Sequence, residues 1–238
     1  MAGTAANRTV PLKGENMELA GVSLCADLSG ALYWPEQRLL CVADLHFEKG
    51  SSFARHGQFL PPYDTRATLA KLQQVIVRYD PRLVVCLGDN FHDGDGAGRL
   101  IDDDRRTLLA LQRGRDWIWI AGNHDPDPAI GIGGRFCDQI RIGNIAFRHE
   151  PSAHSEEPVI AGHLHPVARV LTRGRMVSRK CFASDNWRMV MPAFGAFTGG
   201  LNIRHSAFRT VFAGADFVAH MLGTTRLYAV SAVRCIPD

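Results

Sequence analysis

The strongest constraint on the fold of this 238-residue chain is a pattern used five times: a short apolar run that stops at a polar motif. Leu39–Ala43 leads into Asp44-Leu-His46, Leu83–Leu87 into Gly88-Asp89-Asn90, and Trp117–Ala121 into Gly122-Asn123-His124-Asp125. Ile145–Phe147 precedes His149, and Pro158–Ala161 precedes Gly162-His163-Leu-His165. Short apolar runs ended by Gly or Asp read as buried strands whose carboxyl ends open into loops. Ligands of α/β sheets bind at that edge. Five strands therefore deliver His, Asp and Asn side chains to one sheet edge, a mixed N/O donor set suited to Mn, Fe and Zn.

Composition bounds the remainder. At 46% hydrophobic residues the chain can bury one substantial core, and a single domain is expected over 16–238 behind a disordered lead over 1–15. Six cysteines occur without a C-x-x-C pair, and Cys41 and Cys86 fall inside apolar runs, as buried thiols do. That usage fits a reducing, cytoplasmic compartment. Met1–Lys13 holds no apolar signal region, and no run approaches the roughly 18 apolar residues of a membrane span. A net charge of +3 is too small to argue nucleic-acid binding. The basic residues are 23 Arg against 4 Lys, a bias that GC-rich codons explain as readily as forked phosphate contacts do. The cluster Arg169, Arg173, Arg175, Arg179 and Lys180 reads as a solvated β-hairpin.

Along the chain, Leu19 to Trp34 reads as a short β-meander. Pro62–Tyr79 carries Leu69, Leu72, Val75, Ile76 and Tyr79 at helical spacing, with Asp64 as N-cap and Asp80-Pro81 as stop. A second helix is expected over Gly98–Leu111, with Ile101, Leu108 and Leu111 on one face and Asp102–Asp104 in the early turns, where the helix dipole favours acids. Strand–helix–strand order, met twice, argues a mixed or parallel α/β sheet. After Ile140 short strands and turns dominate, with a glycine-rich loop at Phe194–Gly200, so a second sheet packed on the first is expected.

Taken singly, Asp44-x-His46 or the Asn123-His124-Asp125 turn is equally a cap or a satisfied polar turn. All five in order are not. The Asp89 carboxylate can bridge two cations, Asn123 offers a neutral amide oxygen, and His163 and His165 can reach opposite metals from one loop, as in sites whose ions lie roughly 3.5–4 Å apart.

These five motifs, in this order and over about half of the chain, resemble the signature of the calcineurin-like metallophosphoesterases. The resemblance implies an α/β fold of two mixed β-sheets packed as a sandwich and flanked by helices, four layers in all. It implies two divalent metal ions, with Mn expected and Fe or Zn as alternatives. Asp44, His46, Asp89 and His165 would hold the first, and Asp89, Asn123, His149 and His163 the second. His124 would be the catalytic histidine, beside the phosphate without completing either metal's shell. Two departures stand out: no arginine follows Asp89 in Asp89-Asn90-Phe91-His92-Asp93, and His149-Glu150-Pro151 replaces the more usual His-Gly, with His154 as an alternative ligand. Leu45–Arg55, Asp89–Asp93 and Pro192–Gly200 further resemble the bacterial DNA-ligase-associated metallophosphoesterases, proposed DNA-repair endonucleases of the DNA damage response encoded near a ligase and a helicase.

The mechanism these residues permit is attack on phosphorus by a hydroxide shared between the metals. His124 would stabilise developing charge or protonate the leaving oxygen. Asp93 or Asp125 would hold an imidazole tautomer, His92 would support the ligands from behind, and Lys49, Arg55 and Arg148 would contact flanking phosphates. A phosphodiesterase or nuclease with DNA as a candidate substrate is the leading expectation, and the resemblance implies association with a ligase and a helicase. The alternatives are a nucleotide–lipid pyrophosphatase with a small apolar lid from Phe47, Phe53, Phe59 and Leu60, a small-nucleotide phosphodiesterase, and a scaffold without activity.

Overall fold

The computed structural model describes residues 14–61, 63–152 and 156–238. Pro62, His154 and the lead through residue 13 lie outside them, whereas Gly14 and Glu15, expected within that lead, already belong to the first strand. One sheet runs in sequence order through β1 (Gly14–Leu19), β2 (Val22–Asp27), β3 (Leu32–Trp34), β4 (Leu39–Val42), β5 (Leu83–Leu87), β6 (Asp116–Ile120) and β7 (Arg135–Cys137). Its first four strands form an antiparallel meander, and β4 to β7 are parallel. The helices α1 (Lys49–Arg55), α2 (Asp64–Tyr79), α3 (Gly96–Arg99) and α4 (Asp102–Gln112) fall between these parallel strands.

The second sheet is built from β8 (Gln139–Ile142), β9 (Ile145–Arg148), β10 (Val159–Ala161), β11 (Pro166–Thr172), β12 (Arg175–Ser184), β13 (Arg188–Val190), β14 (Leu201–Asn202), β15 (Val218–Leu222) and β16 (Leu227–Ser231). Its spatial order is β14-β11-β12-β13-β10-β9-β8, with β15 and β16 joined through β12. The helix α5 (Ser206–Val211) lies on its outer face, where Phe208 and Val211 pack on Cys181, Ala183 and Val190. The basic run Arg169–Lys180 is the hairpin of β11 and β12, with Arg173, Arg175 and Arg179 exposed as its charge pattern indicates and Lys180 turned inward instead.

Strand alternation sorts the core into layers. Leu39, Cys41, Val85, Leu87, Ile118 and Ile120 face the second sheet and meet Phe147, Ile160, Phe182 and Met189 there. Their neighbours Leu40, Val42, Val84, Cys86, Trp117 and Trp119 face α2 and α4. Apolar runs without polar gaps are what strands buried on both faces require. The result is two mixed sheets between helical layers, as expected of this chain.

α2 buries Leu69, Leu72, Val75, Ile76 and Tyr79 and ends at Asp80, whose left-handed φ of 40° is followed by Pro81. Its N-cap is Tyr63, not Asp64. Asp64 is the first helical residue, and its buried carboxylate accepts from the Lys49 amide at 2.8 Å. The helix expected over Gly98–Leu111 is two helices, because Leu100 and Ile101 are extended (ψ 122° and 152°). Ile101 is consequently exposed and shares no buried face with Leu108 and Leu111. The short helices α1 and α5, too brief to show a helical period, were not expected.

Phe182 is fully buried between the sheets. Phe182→Ala should therefore lower stability by about 3–5 kcal/mol in urea unfolding. Phe59→Ala, at an 87% exposed position, should stay within about 0.5 kcal/mol of the parent.

Candidate metal centre

All five motifs sit at the carboxyl ends of β4, β5, β6, β9 and β10, and parallel pairing in each sheet brings those ends to one edge. The loops are stitched to one another through their backbones. Asp44 N donates to Gly88 O at 3.3 Å, His46 N to Asp89 O at 2.9 Å, Phe47 N to Asn90 O at 2.8 Å and Gly162 N to His149 O at 3.0 Å. Asp44, His46, Asp89, His163 and His165 all adopt positive φ, between 45° and 71°. Non-glycine residues rarely do so, and strain of this kind persists where surrounding contacts over-determine it, typically at functional sites.

Two groups of donors result. In the first, Asp44, His46, Asp89 and His165 bring one ligand atom each within 4.8 Å of the others, with His46 Nε2 3.3 Å from His165 Nε2. In the second, Asp89, His149 and His163 do the same, and Asn123 Oδ1 lies 2.9 Å from both His149 Nε2 and His163 Nδ1. Asp89 belongs to both. The expected donors of each ion are thus together, and a third grouping joins His46, His92 and His124.

The electrostatics fit divalent cations. Asp44 and Asp89 are 0% and 3% exposed, and among the described residues their only ion-pair partners are histidines. Burial, with His165 and His124 nearby, pushes the His46 imidazole down to about 2, and burial likewise lowers His163. Two buried carboxylates without a Lys or Arg ion pair among the described residues call for compensation, which divalent ions on this donor set would provide.

Backbone carbonyls set the imidazole orientations. His149 Nδ1 lies 2.8 Å from Leu87 O, so Nδ1–H donates there and Nε2 presents a bare lone pair to Asn123 and Asp89. His124 Nδ1 donates in the same way to His92 O at 2.8 Å, leaving Nε2 3.9 Å from Asp89 Oδ2 on a 40% exposed side chain. His124 is anchored separately, by its amide, which donates to Asp89 Oδ1 at 3.0 Å. No sequence signal marks a carbonyl, so these contacts were illegible in the chain alone.

The structure gives two of the expected supporting residues, Asp93 and Asp125, other partners, and it places the rest as follows. Asp93 accepts two bonds of 2.8 Å from Arg99 rather than an imidazole N–H. Asp125 likewise holds no imidazole among the described residues. Its Oδ2 accepts from the Asn90 and Phe91 amides and fixes the loop after β5, while burial pushes its carboxyl up to about 6. His92 stacks on His124 at 5.3 Å and offers it the carbonyl. Lys49 donates to Phe197 O and Arg55 pairs with Asp95 at the surface. Arg148 lines an open cleft of about 700 Å³ beside Asn123 and His149. Phe47, expected in an apolar lid, is instead core.

Residues 37–182 match the calcineurin-like phosphoesterase family, more than half of the chain. The chain belongs to that family and is a metal-dependent phosphoesterase. Among solved structures it is similar to a Pseudomonas putida nuclease, MPE, at 27% identity and a TM-score of 0.70, covering 91% of this chain and 100% of that one. A phosphoesterase from E. coli, 11% identical with a TM-score of 0.39 over 81% of this chain and 97% of that one, is far more distant. No curated protein matches the chain. Among the described residues no helix is long and apolar enough to cross a membrane.

Gly88 has φ 77°, and a Cβ there would lie 2.5 Å from His149 Nδ1. Gly88→Ala should displace His149 from Leu87 O and weaken metal uptake roughly 10–100-fold, while far-UV circular dichroism stays that of the parent. Unchanged metal titration would show that His149 is not held as described.

Proposed function

We propose that this protein is a dinuclear-metal phosphodiesterase acting on DNA, a nuclease of DNA-repair type. The observation that carries the reading is the sharing of Asp89 by two convergent donor groups. Asp44, His46, Asp89 and His165 would hold one divalent ion, and Asp89, Asn123, His149 and His163 the other, with Mn the expected ion and Fe or Zn also suited to this mixed set. Together such ions supply a low-pKa water and Lewis acidity toward the phosphoryl oxygens. The name of the similar Pseudomonas putida protein, a nuclease, supports a nucleic-acid substrate.

The protein's own residues then have distinct tasks. His124, with Nδ1 committed to the His92 carbonyl, carries its titratable Nε2 on the open rim, where it can deliver a proton to a leaving oxygen. The cleft beside Asn123 and His149 gives room for the chain that flanks the scissile phosphate. The loop after Asp89 contributes no guanidinium to the phosphate, and Arg99, which follows it, is committed to Asp93 through two bonds. A diester monoanion needs no further clamp, whereas the second charge of a monoester does. Six free cysteines agree with a reducing cytoplasm.

Assayed with Mn on a small phosphodiester, a phosphomonoester and single-stranded and duplex DNA, the protein should prefer diesters and cut DNA. Monoesterase efficiency equal to or above the diesterase value would overturn this. His124→Ala should lower turnover roughly 10²–10⁴-fold while both ions stay bound. Loss of an ion with activity would make His124 a ligand, and near-normal turnover would place leaving-group protonation elsewhere.

A further inference from the structure

The chain carries 23 Arg and only four Lys, yet the three lysines among the described residues all donate to one segment, the loop between β13 and β14. Lys180 Nζ reaches Thr198 Oγ1 at 2.7 Å, Ala193 O at 2.9 Å and Gly195 O at 3.4 Å. Lys71 Nζ reaches Phe194 O at 2.8 Å and lies 4.0 Å from the centroid of the Phe194 ring. Lys49 Nζ reaches Phe197 O at 2.9 Å. The other side of the same loop faces the metal centre. Phe194 N donates to Ala43 O at 2.8 Å, and Gly195 N donates to Asp44 O at 3.1 Å.

Geometry explains why lysine stands here in an arginine-rich protein. Three acceptors converge on one point, and an ammonium offers three tetrahedral donors on one atom, whereas a guanidinium spreads its donors over a planar fork. Burial opposes the charge, pushing Lys180 down to about 8 and Lys71 down to about 7. A buried cation kept against that penalty implies that its bonds are needed.

We propose that Lys180, assisted by Lys71, is a positioning residue of the metal centre: it locks the Ala193–Thr198 loop, whose Phe194 and Gly195 amides hold the Ala43 and Asp44 carbonyls and so keep Asp44 in the left-handed conformation that turns its carboxylate toward His165. The proposal rests on the reading of Asp44 as a metal ligand. It assigns to Lys180 no contact with substrate. Lys180 acts only through the loop.

The test is calorimetric titration of metal-free protein with Mn, for the parent, Lys180→Met, Lys180→Arg and Thr198→Val. Lys180→Met should weaken one of the two binding events roughly 10–100-fold, the usual scale for a residue that orients a ligand from behind, and leave the other near the parent value. Diesterase turnover should recover when Mn is raised in proportion. Lys180→Arg should not restore the parent affinity, since charge without three convergent donors does not close the loop. Thr198→Val removes one acceptor and keeps the lysine. It should shift the same event in the same direction, and it tests the clamp even if Lys180→Met fails to fold. Parent affinity at both sites in Thr198→Val and Lys180→Met, equal weakening of both sites, or full rescue by Lys180→Arg would each overturn the proposal. Fewer than two ions bound by the parent protein would instead contradict the metal reading on which it rests.

Discussion

Burial of the Asp44 and Asp89 carboxylates among imidazoles is the constraint on which the rest of the structure depends. Neither acid is paired with Lys or Arg among the described residues. Moving an unpaired carboxylate out of water is costly enough that such groups are paired, protonated or bound to metal. Around them lie imidazole nitrogens, Asn123 Oδ1, and the His124 and His163 amides, which donate to Asp89 Oδ1 and to Asp44. The fold creates a place suited to cations.

Holding that place together falls to the backbone. Five donor residues occupy the left-handed region, each at a cost of order 1–3 kcal/mol. Repayment comes from hydrogen bonds between loops that are distant in sequence, such as His46 N to Asp89 O and Gly162 N to His149 O. Those loops can meet because β4, β5 and β6 run parallel in one sheet and β9, β10 and β13 in the other. The inter-sheet core of Leu87, Ile120, Phe147 and Ile160 then fixes one set of ends against the other. Packing supplies the rigidity that the strained edge consumes.

Much of this was legible in the chain, for physical reasons. Strands buried on both faces need uninterrupted apolar runs, so β5 was readable to the residue and β4, β6, β9 and β10 to within one. The donors could be read because each ends such a run. Ile101 misled because its spacing fits a helix that Leu100 and Ile101 interrupt in space. An imidazole partner for Asp93 or Asp125 is not decidable from the chain, because their actual partners, Arg99 and the Asn90 and Phe91 amides, are fixed by loop packing. The carbonyls that set the His124 and His149 tautomers, and the lysines that gather on one loop, depend on tertiary geometry alone.

The account stands most directly on metal titration of the parent protein beside Asp89→Asn and His46→Ala. Two ions per chain are predicted for the parent. Asp89→Asn should weaken both together because it removes the shared anionic oxygens, whereas His46→Ala should chiefly weaken one. At most one ion per chain with Mn or Zn in full supply, or an Asp89→Asn protein that keeps one site at parent affinity, would contradict a centre built around a bridging carboxylate.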